Sequence, residues 1–482
     1  MSMPTAESRN AYWSSQRIFI LVAAGAVISL GNVWRLPFLM GNYGGSAFLL
    51  VYILCCATIV LPVLVAELLI GRKMRANMID GTRELARAAD AHRLWLVIGV
   101  SSVAGAVLVL SFYSVIAGWS MAYVFRAASG ALEVFDLPQA ESIFLSVAGD
   151  PERSLAWHTL FIVATTICAA HGLSGIEKIS RAMVPAAFLF VIIMLVMVFV
   201  SGSPGRAWHF LFSPDWQALG WRGIFEALRQ AYFSLSLGVG VMVAYGVYLR
   251  DEHSVLAGGI AVISLDLLFA ILSGLAVYAL VFAAGQVPSA STSLVFEMLP
   301  LAVASSDQSG LALVLLYTAL VIITLTSAVA LMEPVVVWVK ERFGVSRVFA
   351  TTAAALVIWF LGLGSLLSFN VIDDLRFLDR NFFEWVTMIT AHILLPIVGL
   401  LVCVFVSRLM PATMLREAWG SEPGKAFDIW LWCLRYPARV GLILVVLYTM
   451  GLFDWMVNFW NIPPASAVSD VVTVIEGNNG GR

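Results

Sequence analysis

The sequence predicts an all-α polytopic membrane protein. Three observations carry that class. Of 482 residues, 61% are hydrophobic and only 12% are charged, against roughly 25% charged in soluble domains. The apolar residues gather in long runs, each near the ~20 residues that a helix needs to cross a bilayer. The formal net charge is −2, which excludes the basic footprint of a nucleic-acid binder. The five cysteines, Cys55, Cys56, Cys168, Cys403 and Cys433, lie mostly in apolar runs, lack metal-ligand spacing and read as packing thiols.

Taken in order, the runs predict eleven spans: Arg17–Met40, Ser46–Ile70, Leu94–Arg126, Leu155–His171, Met183–Val200, Ile224–Leu249, Val255–Ala284, Leu311–Val339, Val348–Leu367, Phe382–Val406 and Ala438–Val457. Met1–Tyr12 is polar and short. The run after it is too long, and lacks a small-residue cleavage site, for a signal peptide. Cations set the orientation. Alternate loops hold Arg72, Lys73, Arg75, Arg83, Arg87 and Arg93, then Lys340, Arg342 and Arg347, then Arg408, Arg416, Lys425, Arg435 and Arg439. The opposite loops are acidic, with Glu133, Asp136, Glu141, Asp150, Asp373 and Asp374. The N-terminus is therefore expected inside, and the tail Asn461–Arg482 outside.

Two of these spans carry residues that a lipid-embedded helix should avoid. The first contains Gly25-Ala-Val-Ile-Ser-Leu-Gly-Asn-Val-Trp-Arg-Leu-Pro-Phe38. Its Gly25, Gly31, Asn32, Arg35 and Pro37 point to an interrupted helix whose freed carbonyls bind a cation. The sixth contains Gln230-Ala-Tyr-Phe-Ser-Leu-Ser-Leu-Gly-Val-Gly240. Both share Ser-Leu-Gly, and both stand first in a group of five. This predicts an inverted five-plus-five helix repeat with broken helices one and six, plus an eleventh helix, and a binding site at the midplane. Glycine and serine used for close helix packing is the simpler reading, but it leaves Asn32 and Arg35 unexplained. The expected divisions are residues 1–16 (N-terminal segment), 17–205 and 206–407 (the two repeats), 408–460 (loop and eleventh helix) and 461–482 (tail).

Leu30-Gly-Asn-Val-Trp-Arg-Leu-Pro-Phe38 followed by Asn42-Tyr-Gly-Gly-Ser-Ala-Phe48 resembles the first-segment signature of the neurotransmitter:sodium symporter family. Glu67-Leu-Leu-Ile-Gly-Arg72, Tyr113–Trp119, Gly175–Lys178 through Pro185, Phe233–Gly240, Thr326-Ser327 and Glu333-Pro334 match in order over nearly the whole chain. Eleven spans resemble a bacterial amino-acid branch. The resemblance implies a sodium-coupled symporter of the bacterial inner membrane. It would import a neutral, hydrophobic L-amino acid by alternating access, and would not be an enzyme. A carrier of another small zwitterion is an alternative, as is an amino-acid sensor without net transport. An intramembrane enzyme finds no support: no nucleophile–base pair, metal cluster or phosphate loop occurs, and His92, His158, His171, His209, His253 and His392 are scattered.

Sodium, a hard cation, takes oxygen ligands. The resemblance implies two ions. One would take the carbonyls of Gly25, Ile28 and Ile323 and the hydroxyls of Thr326 and Ser327. The other would take the Val27 carbonyl, the Asn32 side chain, Ser234 and Asp266. Asp266 stands alone in an apolar run, where a carboxylate is costly and marks a functional site; many relatives carry Asn there. Chloride-dependent relatives bind Cl⁻ beside this site through a Ser, here Ala270, although Tyr52 and Gln230 match other chloride contacts. Asp266 is therefore expected to supply the anion itself, so that chloride is not required. Proton coupling through Asp266 or Glu67 is a second reading.

The free N–H groups of the broken helices suit a substrate carboxylate, with Tyr113 donating to it. Val27, Ser29, Leu30, Gly31, Val109, Tyr113, Phe233, Ser234, Ser236, Val239, Ser327 and Leu331 are the expected pocket. Ser29 is neutral where monoamine carriers have Asp, which favours an amino acid. Val239 replaces a larger aromatic, leaving room for a bulky side chain. Arg35 is expected to gate the outer side with Glu384, because Thr387 holds the family's acidic position. Trp13, Tyr248 and an Arg9–Glu341 pair would gate the inner side. Glu67 would hold free N–H groups of the broken helices, and Gly175 and Pro185 would let the fifth span unwind.

Overall fold

Interruption of the first and sixth spans governs the architecture. The computed structural model describes residues 12–132, 136–201, 203–286, 294–304, 309–420 and 424–452; no β-strand occurs among them. Among the described residues, nine spans run Ser46–Met74, Arg93–Ala128, Pro151–Ala170, Gly172–Ser201, Val255–Ala283, Ser309–Phe343, Arg347–Leu367, Phe382–Leu409 and Lys425–Thr449. The first span is split into Gln16–Val27 and Leu30–Asn42, which meet at 79°. The sixth is split into Trp216–Ser234 and Val241–Val247. Nine spans and the bent first pair are long and apolar enough to cross a membrane, and the split sixth brings the set to eleven among the described residues.

Two boundaries differ from the sequence expectation. The fifth span starts eleven residues before Met183, because Leu173, Ile176 and Ile179 continue its apolar face past the polar residues between them. The eleventh begins at Lys425 rather than Ala438 and bends at Tyr436, just before Pro437. Its first half is amphipathic: Phe427, Trp430, Cys433 and Leu434 are buried while Ile429 and Trp432 face outward. Mixed polarity hid it from a search for uniform apolar runs. The expected end at Val457 lies outside the described residues.

The packing repeats with the halves exchanged. The second span packs along Val241–Val247 of the sixth, and the seventh packs along Leu30–Asn42 of the first. The eighth span is the centre, with 72% of its most apolar window buried, whereas the fifth has 28% and faces lipid. Glycine sets the closest approach. A Cβ on Gly71 of the second span would stand 2.0 Å from the Val243 carbonyl oxygen, and one on Gly246 would stand 2.5 Å from that of Leu68. Only bare backbone lets these two helices touch.

The side opposite the N-terminus is roofed by the connecting helices Leu137–Ala148 and Leu294–Ala304. Trp119 anchors them: its ring meets Phe144, Phe296 and Phe369 edge-on at 5.3, 6.1 and 4.9 Å, a favoured aromatic geometry.

Candidate substrate and sodium site

The two breaks face one cavity. In the first span the helix stops at Val27, Ile28 turns extended (ψ 116°) and Ser29 follows (φ −137°, ψ 178°). In the sixth, residues 235–240 leave the helix, with Ser236, Gly238 and Gly240 at φ 49°, 86° and 76°. Gly238 is required there twice over: its φ is left-handed, and a Cβ would stand 2.7 Å from the Leu395 carbonyl oxygen. The Gly238 N–H donates to Glu67 Oε1 at 2.7 Å, and Glu67 Oε2 is buried without a partner. Glu67 thus reaches a freed N–H as expected, on the sixth span.

Five oxygens gather beside the first break. The Ser327 hydroxyl lies 3.3 Å from the Gly25 carbonyl oxygen, 2.8 Å from that of Ile28 and 2.9 Å from that of Ile323. Thr326 Oγ1 lies 3.0 Å from the Ile323 oxygen. One serine proton serves only one carbonyl. A cation would relieve the crowding of the rest. The Thr-Ser pair does bond back to its own preceding turn, but Ser327 also reaches across to the first span.

A second polar cluster lies behind the same break. Asn32 Oδ1 accepts from the Ser29 N–H at 2.9 Å, capping the resumed helix, while its amide donates to Asp266 Oδ1 at 2.8 Å. Ser234 donates to Asp266 Oδ2 at 2.9 Å. Asp266 and Asn32 are each 1% exposed, and no cationic side chain pairs with Asp266 among the described residues. A buried carboxylate held only by neutral donors suits a small cation arriving beside it. Val27 closes the helix immediately before this cluster. Tyr52 stands next to Ser234 and Asp266, Gln230 sits one turn before Ser234 and Ala270 one turn after Asp266; all three are buried.

The cavity measures about 180 Å³ and takes its wall from Ser29, Leu30, Gly31, Val109, Tyr113, Phe233, Ser236, Val239, Ser327 and Leu331. Val27 and Ser234 lie behind that wall. The Tyr113 hydroxyl is buried beside Ser327 and the Leu30 backbone, and no hydrogen bond of good geometry engages it among the described residues. Trp34, Phe112, Ile116, Phe383, Thr387 and Leu395 also line the cavity; contacts supplied by the tenth span could not be read from spacing. Thr387 adds a second orphaned hydroxyl.

The expected gates are rearranged. Arg35 does not pair with Glu384: its guanidinium stacks over Phe233, 5.6 Å from the ring centre. Glu384 is taken by a capping box, accepting from the Asn381 N–H at 2.9 Å while Asn381 caps Glu384 in return. On the N-terminal side, Trp13 is fully buried and donates to the Tyr245 carbonyl at 2.9 Å. Tyr248 donates to Glu333 at 3.0 Å, and Glu333 pairs with Arg347. Glu341 accepts from both the N–H and the amide of Asn77, at 3.0 and 2.7 Å. Its expected partner Arg9 lies outside the described residues. Glu177 clamps Ser14, accepting from its N–H at 2.8 Å and its hydroxyl at 2.9 Å. The fifth span is helical through Gly175 and Pro185, so that stretch is wound here.

Broken helices around a midplane cavity, with oxygen clusters behind it, define an ion-coupled membrane transporter. The chain belongs to the sodium:neurotransmitter symporter family, whose sequence profile matches residues 9–137 and 140–471. An uncharacterized sodium-dependent transporter, YhdH, of Bacillus subtilis is 31% identical, over 93% of this chain and all of the relative. The sodium-dependent neutral amino acid transporter B(0)AT2 of Bos taurus is 25% identical, over 55% of this chain and 40% of its own length. Among solved structures, MhsT in complex with L-phenylalanine superposes with a TM-score of 0.82 at 32% identity, over 91% of this chain and all of that one.

Proposed function

We propose that the chain imports a neutral, hydrophobic L-amino acid with sodium by alternating access. It would act across the bacterial inner membrane, with the N-terminus inside and the C-terminus outside. One observation carries this: two helix breaks, a buried carboxylate and a Ser-Thr oxygen cluster converge on one largely apolar cavity. The substrate carboxylate would meet the freed N–H groups and Tyr113, and its side chain would lie among Val109, Phe233, Val239 and Leu331. The L-phenylalanine held by MhsT and the neutral amino acids named for B(0)AT2 support that class.

Two sodium ions fit the two oxygen clusters, and Asp266 supplies the negative charge that makes chloride dispensable. Trp13 and the Ser14–Glu177 clamp would form the inner seal, and Arg35 over Phe233 would form part of the outer one.

The test is amino-acid uptake into proteoliposomes, with and without an inward sodium gradient. Accumulation of a large apolar amino acid that needs the gradient is the expected result. Binding without accumulation would instead mean a sensor. Uptake that is indifferent to sodium would overturn the reading.

A further inference from the structure

Arg35 has no carboxylate partner on the tenth span among the described residues, and it stacks on Phe233 instead. A different polar side-chain contact joins the sixth and tenth spans there. Arg229 Nη1 lies 3.1 Å from His392 Nε2. The same guanidinium pairs with Glu226 through Nε at 3.1 Å and Nη2 at 2.5 Å, and Glu226 in turn accepts from the Tyr448 hydroxyl at 3.1 Å. The sixth, tenth and eleventh spans are thereby tied in one network above the substrate cavity.

This network dictates a protonation state. Guanidinium has donors and no acceptor. His392 Nε2 must therefore offer its lone pair, and the imidazole is neutral while the contact holds. The charged groups that face it are cationic Arg229 on the sixth span, Arg35 on the first and Arg380 in the loop before the tenth. Glu226 is already engaged by Arg229 and Tyr448. A proton on His392 would remove the acceptor and set imidazolium against guanidinium at hydrogen-bond distance.

The surrounding backbone is built to move. His392 lies in Met388–Leu394, a wide-turned π-helical stretch of the tenth span; such stretches concentrate at functional positions. It ends beside Leu395, whose carbonyl oxygen accepts from Tyr232 of the sixth span at 2.9 Å. His392 is only half-buried, so protons from the outer side reach it.

We propose that the Arg229–His392 hydrogen bond closes the outer side of the cavity, and that a proton taken up by His392 from outside, when the contact has parted, holds it open. This rests on the symport reading for its orientation and deepens it. External acid holds the outer side open and slows each cycle. The contact itself holds His392 neutral; once it has parted and the imidazole stands away from Arg229, the neutral, closable fraction falls about tenfold per pH unit below a histidine's ordinary value of about 6.5.

Two measurements test this, at external pH of about 8 and about 5.5, which bracket that value. The first is sodium-driven uptake with the internal pH fixed, for the parent chain and for His392→Gln, whose amide oxygen still accepts from Arg229. The parent is expected to lose about tenfold of its rate on acidification, and the Gln variant to stay flat. Equal losses in both chains, or no loss in the parent, would overturn the proposal. The second needs no substrate: the distance between spin labels on cysteines introduced at Gln217 and Asp374. It should lengthen in acid for the parent and not for His392→Gln, and equal behaviour there also overturns the proposal. Lack of sodium-driven uptake with an intact pH-dependent distance would sink the symport reading and leave the seal standing.

Discussion

Asp266 is where a single side chain says most. A carboxylate at bilayer depth must be paired or hydrogen-bonded, and this one spends its two oxygens on Asn32 and Ser234. Asp266→Ala and Thr326→Ala are each expected to abolish sodium-stimulated substrate binding, measured by scintillation proximity. Asp266→Asn keeps the size and loses the charge. It should weaken sodium binding at least about tenfold, roughly 1.4 kcal/mol, and make the remaining binding respond to chloride; indifference of the Asn variant to both ions would defeat the assignment. Asp266 was legible because nothing apolar explains it. Arg35's surroundings were not, although a signal was present: Asn381-Phe-Phe-Glu384 has the spacing of a capping box, which commits Glu384 to its own helix end. Arg229 and His392 are 163 positions apart, and no local pattern joins them.

Among the elements, the two breaks were readable for a simple reason. Gly, Ser and Asn in mid-span contradict what a helix in lipid needs, and the contradiction needs no partner to be seen. The start of the eleventh span was not readable, because an amphipathic helix at a membrane surface looks like a loop when only average polarity is weighed. Two element-scale predictions follow from glycine and glutamate. Gly71→Ala forces a methyl into the Val243 carbonyl and should lower stability by about 1–3 kcal/mol, read as a drop in thermal midpoint in detergent. Glu67→Ala frees the Gly238 N–H with no replacement, costing about 1–3 kcal/mol. It should also loosen the sixth-span break, seen as faster hydrogen exchange at residues 235–240; unchanged exchange would remove Glu67 from that role.

For the molecule as a whole, sequence carried the inverted repeat further than any single contact. The two halves share a plan because each broken helix needs an unbroken neighbour to lean on, the seventh span for the first and the second for the sixth. On the N-terminal side the sequence pointed to Trp13 and Glu341 but not to the partners they meet. Those partners, Tyr245 and Asn77, and the Ser14–Glu177 pair beside them, join distant parts of the chain that no local pattern links. Glu177→Ala releases both Ser14 bonds, so amide exchange at Ser14 should rise several-fold; if it does not, the clamp is idle. Replacing chloride by gluconate on both sides of the membrane should leave sodium-driven uptake unchanged. Collapse of uptake would mean that Asp266 is not the resident anion.

The short helix Val241–Val247 is fastened to the second span twice, by bare backbone at Gly71 and Gly246 and, just before it begins, by the Glu67 hold on Gly238. A rod pinned at two points cannot spin about its own axis or slide along its neighbour. It travels as cargo of that neighbour or stays put.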